Sequence, residues 1–218
     1  MLVERTFTPS EAAVVSDVPL SAIHKAIDEG PLGSARSAKP GRRILSESDL
    51  FYLAATYIFD PGLVHLTDRA KERLRKAISS SCRAGKPGKI KFFEGLELDL
   101  RPVVVKVRSK MTLLQHAKKM VVVNPHIRGG EPVIRGTRIG VYEVAAMVKD
   151  ATEKEIEEIL AGYPTLKREQ LELAQIYAAA HPRRGRPPKH PWHRMEAEAA
   201  RKISHRRVPA HKSDNGFH

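Results

Sequence analysis

Residues 7–29 read FTPSEAAVVSDVPLSAIHKAIDE, and the turn signals in this stretch decide the fold of the N-terminal part of the chain. Thr8 is a favourable helix N-cap, Pro9 suits the first helical position, and Glu11 completes a capping box. The following SDVP interrupts that helix, because proline is not tolerated in a helix interior. We therefore predict a short helix, a tight turn, and a second helix over about 20–29.

The second helix has one apolar and one polar face, as a helix packed on a core requires. The apolar positions lie three and four residues apart and are Leu20, Ile23 and Ile27. The opposite face offers Ser21, His24, Lys25 and Asp28. Two short helices joined by a tight turn form a helix-turn-helix, whose second helix enters the major groove in DNA-binding proteins.

A basic loop with four cations and no acid follows this helix pair; the cations are Arg36, Lys39, Arg42 and Arg43. Ile44 and Leu45 predict a short strand, and the SESD run before Leu50 predicts another helix that ends near Phe59. This order resembles the winged helix-turn-helix of the MerR type over roughly residues 7–53, on the text TPSEAA, SDVPLSAIHKAI and GRRILSESDL.

The MerR resemblance implies that the second helix enters the major groove with Ser21, His24 and Lys25 toward the bases. It implies that the basic loop is the wing, with Arg42 and Arg43 on the phosphate backbone. The alternative is a helix pair that only packs or dimerises. Residues 1–60 hold 6 basic and 8 acidic side chains, a net charge of −2, which weakens the case for DNA binding.

The middle of the chain is strongly basic: residues 61–123 hold 15 basic and 5 acidic side chains, a net charge of +10. The pattern predicts a helix over 68–79, a β-hairpin around Gly95, a strand in RPVVVKV from Arg101, and one short helix that ends near Met120. We interpret 61–120 as a connecting region that serves as a cap or dimerisation element. Its charge either touches DNA phosphates or forms a solvated surface.

Residues 121–182 begin with a glycine-rich, strand-like segment and continue with three short helices, a small bundle with a helix-turn-helix outline. Apolar residues recur at helical spacing from Val141 onward. Thr152 and Glu155 form a capping box before the second of these helices. We predict that Thr165 caps the third.

The text NPHIRGGEPVIRGTRIGV, followed by ATEKEIEEILAGYPTLKREQLELAQIYAAAHP, is similar to domain-of-unknown-function family 433. Such domains are generally viewed as antitoxins of bacterial toxin–antitoxin pairs, and their usual partners are small PIN-type ribonucleases. Together with the MerR-like module, the layout resembles a VapB-type antitoxin.

The glycine-rich motif is expected to be a structural turn. A P-loop needs a lysine after its last glycine, and none follows Gly136. Its arginines are expected to pair with Glu131 or the neighbouring helix; they are Arg128, Arg135 and Arg138. The last helix could instead read DNA through Lys167, Arg168 and Gln170. We favour packing and dimerisation for this part of the chain.

Residues 183–218 are a basic, proline-rich tail with 10 basic and 3 acidic side chains. Three interpretations stay open. The antitoxin resemblance implies that arginines pair with the metal-binding carboxylates of a PIN ribonuclease and that an aromatic anchors the contact. The residues concerned are Arg183, Arg184, Arg186 and Trp192. The RGRP run also resembles an AT-hook core for the DNA minor groove. The third interpretation is a solvated tail.

Whole-chain composition excludes several classes of protein. The formal charge of +13 over 218 residues favours polyanionic partners. The chain has neither an apolar run long enough for a membrane span nor the apolar region of a signal peptide. The absence of metal-site and nucleophile motifs predicts no enzyme activity, metal or cofactor. Arg83 beside Cys82, the single cysteine, could lower the thiol pKa, but a lone cysteine in a loop is more often inert; one cysteine suits a reducing cytosol.

These patterns together predict a mainly α protein with small β elements: a winged helix-turn-helix (1–60), a connecting region (61–120), a three-helix antitoxin-type domain (121–182) and a toxin-binding tail (183–218). The expected function is an antitoxin that neutralises a PIN-type ribonuclease and autorepresses its operon by binding operator double-stranded DNA. We expect a cytoplasmic homodimer that joins the nucleoid when on DNA and a higher assembly with the toxin. The alternative is a stand-alone transcriptional regulator with an AT-hook-like tail.

Overall fold

The computed structural model describes residues 5–32, 43–58, 66–85 and 87–183. The chain divides into one unit of Met1–Pro182 and a second of Arg183–His218, and the fold below is that of the first. Its elements in chain order are β1 (Thr6–Phe7), α1 (Pro9–Ser16), α2 (Leu20–Asp28), β2 (Leu45–Ser46), α3 (Glu47–Ile58), α4 (Asp68–Arg83), β3 (Lys89–Phe93), β4 (Leu96–Asp99), α5 (Arg101–Met120), β5 (Val121–Val122), β6 (Val133–Ile134), α6 (Val141–Met147), α7 (Glu153–Gly162) and α8 (Arg168–Ala180).

The strands pair as three small antiparallel sheets, β1 with β2, β3 with β4, and β5 with β6. The prediction of a mainly α protein with small β elements is therefore confirmed. Across the four described ranges, no helix is both long enough and apolar enough to cross a membrane.

The predicted capping box begins α1. The Thr8 amide donates to Glu11 Oε2 at 2.8 Å, and the Glu11 amide donates to Thr8 Oγ1 at 3.3 Å. Asp17 ends the helix in the left-handed conformation, at φ 58°. In α2, Ile23 and Ile27 are buried as predicted, whereas Leu20 is 38 % exposed, so the expectation that it shares their buried face is wrong.

The predicted strand after the basic loop is confirmed at β2, where Leu45 pairs with Phe7 and Ser46 with Thr6. This pairing holds the start of α1 next to the start of α3, since it joins the residues before α1 to those before α3. The helix α3 then packs much of its length into the core, with Phe51 1 % exposed.

The predicted strand in RPVVVKV is wrong, because these residues form the first turns of the 20-residue helix α5. Consecutive valines favour strands locally. Here the buried positions continue at helical spacing over the whole segment, so packing on one helix face outweighs the local preference. The buried residues are Val103, Val104, Val107, Met111, Leu114, Ala117 and Met120. The short helix predicted near Met120 is the last part of the same element.

Helix α5 runs through two hydrophobic cores. Its residues up to Leu114 belong to the first core, with α1, α2 and α3. Ala117 and Met120 belong to the second core, with the C-terminal helices. Ala180 at the end of α8 returns to the first core. Residues 101–120 are thus a shared structural helix of the compact unit.

The C-terminal helices match the prediction in number and order. Thr152 and Glu155 form the predicted capping box of α7. The predicted cap at Thr165 is wrong: Lys167 is the N-cap of α8, and its amide donates to Gln170 Oε1 at 2.9 Å. The last helix therefore begins at Arg168, three residues after Thr165.

Candidate nucleic-acid interface

The exposed face of α2 lies opposite its buried isoleucines. Ser21, His24, Lys25 and Asp28 are all exposed on it. The helix keeps this face outward because Ile23 and Ile27 are fully buried in the first core. The structure therefore places the predicted base-contacting side chains together on one accessible helix face.

Arg43, at the end of the basic loop, is bound to α2. Its Nη2 donates to Asp28 Oδ1 at 2.7 Å and its Nη1 to Asp28 Oδ2 at 3.2 Å. This bidentate ion pair holds the loop end against the last turn of α2. A phosphate contact by Arg43 stays a prediction, and it would compete with Asp28 for the guanidinium. The other loop cations, Arg36, Lys39 and Arg42, lie outside the described residues.

A cleft of about 510 Å³ lies between α2, α3 and the start of α4. Ala22, Lys25 and Ala26 of α2 form one wall, and Leu53 and Tyr57 of α3 belong to the other. Lys25 therefore borders both the exposed helix face and this cleft.

Four acidic residues of the N-terminal part pair with cations of the basic middle. They form five ion pairs: Arg75 to Asp49 (3.4 Å), Arg108 to Glu47 (3.1 Å), Lys106 and Lys110 to Asp17 (2.8 Å for Lys106), and Lys118 to Glu11. Part of the +10 charge is thus neutralised by ion pairs within the protein. Neither interpretation of the sequence, contact with DNA phosphates or a solvated surface, included this outcome. Sequence reasoning missed these residues because the strand assigned to 101–107 concealed the helical spacing of Lys106 and Lys110.

Two lysines of α5 hold the turn of the helix-turn-helix. Lys106 and Lys110 lie one helical turn apart and both bind the carboxylate of Asp17, which ends α1. Burial raises the pKa of Asp17, but the two lysines outweigh it and hold this pKa below its usual value. The orientation of α2 relative to α1 is therefore tied to α5.

Glu11 joins α1 to both α5 and the end of α8. Its side chain is 6 % exposed, contacts Lys118 Nζ, and lies 3.6 Å from His181 Nε2. Burial raises the pKa of Glu11, while the hydrogen bonds from Lys118 and the Thr8 amide lower it by more, so the pKa falls below its ordinary value of 4.5. Burial lowers the pKa of His181.

Replacing Glu11 with glutamine should make the stability of the protein less sensitive to acid. A carboxyl whose pKa is lower in the folded state stabilises the fold above its unfolded-state pKa, and this contribution is lost as the pH falls through the folded-state value. The difference in unfolding free energy between pH 7 and pH 3, measured by urea denaturation, should shrink in Glu11→Gln. Glu172→Gln, on the exposed side of α8, is the control. An equal pH dependence in all three proteins would contradict this role of Glu11.

The glycine-rich motif forms a compact turn, as predicted. Three consecutive residues have positive φ: Arg128 (50°), Gly129 (66°) and Gly130 (85°). Arg128 pairs with Glu131 at 3.3 Å and, through both terminal nitrogens, with Glu143 of α6. The predicted pairing of Arg128 is therefore confirmed. By contrast, Arg135 Nε donates to the Lys119 carbonyl at 3.0 Å, and no acid within the described ranges pairs with Arg138.

At two other candidate sites, the structure differs from the prediction or adds a partner. The expected lowering of the Cys82 pKa is wrong, because burial raises it and the nearby charge of Glu47 adds to this effect. Arg168, a candidate for DNA contact, pairs with Glu153 of α7.

In the part of the chain that the structure describes, no group of three or more histidine, cysteine or acidic residues could hold a metal ion. Arg183 is exposed, and the other tail candidates, Arg184, Arg186 and Trp192, lie outside the described residues.

Comparison with known proteins bears on both halves of the chain. The family described as "Protein of unknown function (DUF433)" matches residues 121–178, which span β5 to α8. No solved structure matches the chain. A protein of Sinorhizobium fredii (strain NBRC 101917 / NGR234), described as "Uncharacterized protein y4eO", is 35 % identical over 183 residues, covering 81 % of this chain and 82 % of the relative. The match extends well beyond residues 121–178, so the chain belongs to the same protein family as the Sinorhizobium fredii protein and carries a DUF433 domain as its C-terminal part.

Proposed function

We propose that this protein is a DNA-binding antitoxin: it binds operator DNA through α2, represses its own operon, and neutralises a PIN-type ribonuclease through its tail. The observation that carries the DNA-binding part is the accessible face of α2, where Ser21, His24 and Lys25 lie together on a helix held by the core and by Asp17. Side chains on such a helix can reach base edges in the major groove.

The antitoxin part of the proposal rests on the DUF433 domain. DUF433 domains are viewed as antitoxins, and an arginine-rich tail suits the carboxylate-lined metal site of a ribonuclease. The protein acts as a homodimer on a two-fold operator, with half-sites about 10 bp apart or a multiple of that distance. With the toxin bound, the dimer forms a larger assembly.

Replacing Lys25 with alanine should weaken sequence preference. A base contact contributes about 1–3 kcal/mol of discrimination, which corresponds to a loss of about 5- to 150-fold in the ratio of operator to non-operator affinity. The affinities are measured by fluorescence anisotropy with the upstream region of the gene and a shuffled duplex at one salt concentration.

Lys154→Ala is the matched control, since Lys154 is an exposed lysine on α7. It should leave the affinity ratio unchanged. If Lys25→Ala also keeps the wild-type ratio, α2 does not read the bases.

A second candidate is a stand-alone regulator without a toxin, favoured by the RGRP run at 184–187. Arginines of this type enter the narrow minor groove of AT-rich DNA. Co-expression with the neighbouring open reading frame, followed by affinity purification, separates the two candidates. Recovery of a stable complex with a PIN-type protein supports the antitoxin, whereas full activity on DNA with no such complex supports the regulator.

A further inference from the structure

The four residues Arg135-Gly136-Thr137-Arg138 form the tip of a closed turn, which we call the RGTR tip. The Ile134 amide donates to the Ile139 carbonyl at 3.0 Å, and the Thr137 amide donates back to the Ile134 carbonyl at 3.0 Å. The Thr137 hydroxyl donates to the same carbonyl at 2.9 Å, and Gly136 takes a φ of 79°. Ile134 at the base is fully buried. The tip is therefore held in one shape, with Arg135 and Arg138 exposed at its two ends.

The RGTR tip is joined to the end of α5. The Arg135 amide donates to the Met120 carbonyl at 2.8 Å, and Arg135 Nε donates to the Lys119 carbonyl at 3.0 Å. The C-terminal carbonyls of a helix carry partial negative charge, which favours a guanidinium there. Three exposed cations, Lys119, Arg135 and Arg138, thus belong to one corner of the protein.

These three cations differ from their neighbours in having no acidic partner. Lys118, Arg128 and Arg168 each bind a carboxylate. For Lys119, Arg135 and Arg138, the described part of the chain supplies no carboxylate within ion-pair distance. Their charge does not contribute an ion pair to the fold, and a cluster of one sign concentrates an attractive potential for anions.

Helix α5 connects the corner to the helix-turn-helix. Helix α5 runs alongside α1, because Lys110 binds Asp17 at one end of α1 and Lys118 binds Glu11 near the other. Lys119 and the RGTR tip therefore belong to the same compact unit as the helix-turn-helix.

The N-terminal part of the chain lacks a net positive charge for contacts with DNA phosphates. Phosphate contacts supply essentially all of the non-specific affinity of DNA-binding proteins and a large share of the specific affinity. Residues 1–60 nonetheless have a net charge of −2, and Arg43 is already paired with Asp28. A planar guanidinium binds a phosphate in bidentate fashion, and arginines at both ends of the rigid tip present two of them.

We propose that Lys119 and the RGTR tip form a phosphate-binding corner that holds the backbone of the DNA duplex. The inference rests on the proposed DNA binding and assigns to the DUF433 domain a direct part in it. The contact adds affinity for any sequence, because phosphates carry no base information.

The test compares full-length Arg135→Gln/Arg138→Gln with the wild type on a mixed-sequence duplex over a series of potassium chloride concentrations. Each lost phosphate contact lowers the slope of log K against log salt by about 0.9, so the double variant should lose about 1.8. The ratio of operator to shuffled affinity should stay at its wild-type value. Lys149→Gln/Lys154→Gln removes the same charge from exposed positions at the end of α6 and on α7, and its slope should not change.

A charge-retaining variant separates charge from folding. Arg135→Lys/Arg138→Lys should keep the wild-type slope, because lysine also neutralises a phosphate. A wild-type slope in the glutamine variant, or an equal loss in the Lys149/Lys154 control, overturns the phosphate-binding corner while DNA binding by α2 stands. A lowered slope in the glutamine variant, combined with unchanged specificity in Lys25→Ala, supports the corner and contradicts base reading by α2. A wild-type protein that binds no duplex overturns both.

Discussion

Leu114→Ala should lower the free energy of unfolding by about 3 kcal/mol, because truncation of a buried leucine to alanine costs 2–5 kcal/mol. Leu114 is 1 % exposed and lies on α5 where the first core approaches the second. The loss of unfolding free energy should affect both hydrophobic cores, since α5 contributes side chains to each of them. We therefore expect one cooperative transition at lower denaturant concentration.

The neighbouring residue offers a matched control. Leu113 is 43 % exposed in the folded protein. Leu113→Ala therefore removes the same atoms from a side chain that still contacts water after folding. Surface changes of this kind usually remain within about 0.5 kcal/mol. Urea denaturation followed by far-ultraviolet circular dichroism gives the unfolding free energies, and amide hydrogen exchange reports each core. Equal losses in the two variants, or separate transitions for α1–α3 and α6–α8, would show that α5 does not couple the cores.

If the protein is the antitoxin that we propose, deletion of residues 183–218 should abolish neutralisation of its PIN-type ribonuclease. The tail supplies Arg183, Arg184 and Arg186, whose guanidiniums can bind metal-site carboxylates in bidentate pairs. Trp192 adds the kind of aromatic anchor that dominates interface energies. The truncated protein should keep its fold, because Met1–Pro182 is a compact unit with its own cores. Cleavage of a labelled RNA by the toxin, with increasing amounts of full-length or truncated protein, measures the loss.

Two variants sharpen this test. Arg183→Gln/Arg184→Gln/Arg186→Gln in the full chain should lose most neutralisation, whereas a deletion of 195–218 alone should retain it. Operator affinity of the 183–218 deletion should stay near the wild-type value, since α2 and the proposed phosphate-binding corner lie within Met1–Pro182. Protection of the RNA by the truncated protein would remove the tail from the toxin interface. A loss of affinity for AT-rich DNA with intact neutralisation would favour the AT-hook interpretation.

Several local features could be predicted because their causes lie within a few residues. The capping boxes of Thr8 with Glu11 and of Thr152 with Glu155 are both present, as are the break at Asp17 and the hairpin at Gly95. The error at RPVVVKV has the opposite cause. Valine favours strands when only its backbone is considered, and the helix there depends on buried contacts with residues far away in the sequence.

The candidate interface shows the same division. The accessible row on α2 follows from helical spacing, so the sequence was sufficient to group Ser21, His24 and Lys25. The pairing of Arg43 with Asp28 could not be predicted, because it joins residues on either side of the basic loop. The corner formed by Lys119 and the RGTR tip was also hidden, since the approach of Arg135 to α5 depends on the pairing of β5 with β6.

Net charge illustrates what each level of structure decides. The sequence by itself determined that +10 lies in residues 61–123 and that the helix-turn-helix segment has a net charge of −2. The tertiary structure decided which of these charges meet. It places Lys106, Lys110 and Lys118 of α5 against Asp17 and Glu11 of α1, and it leaves Lys119 and the RGTR tip exposed. The physical reason is that the energy of a charge depends on its distance from other charges in space, which chain order alone does not specify.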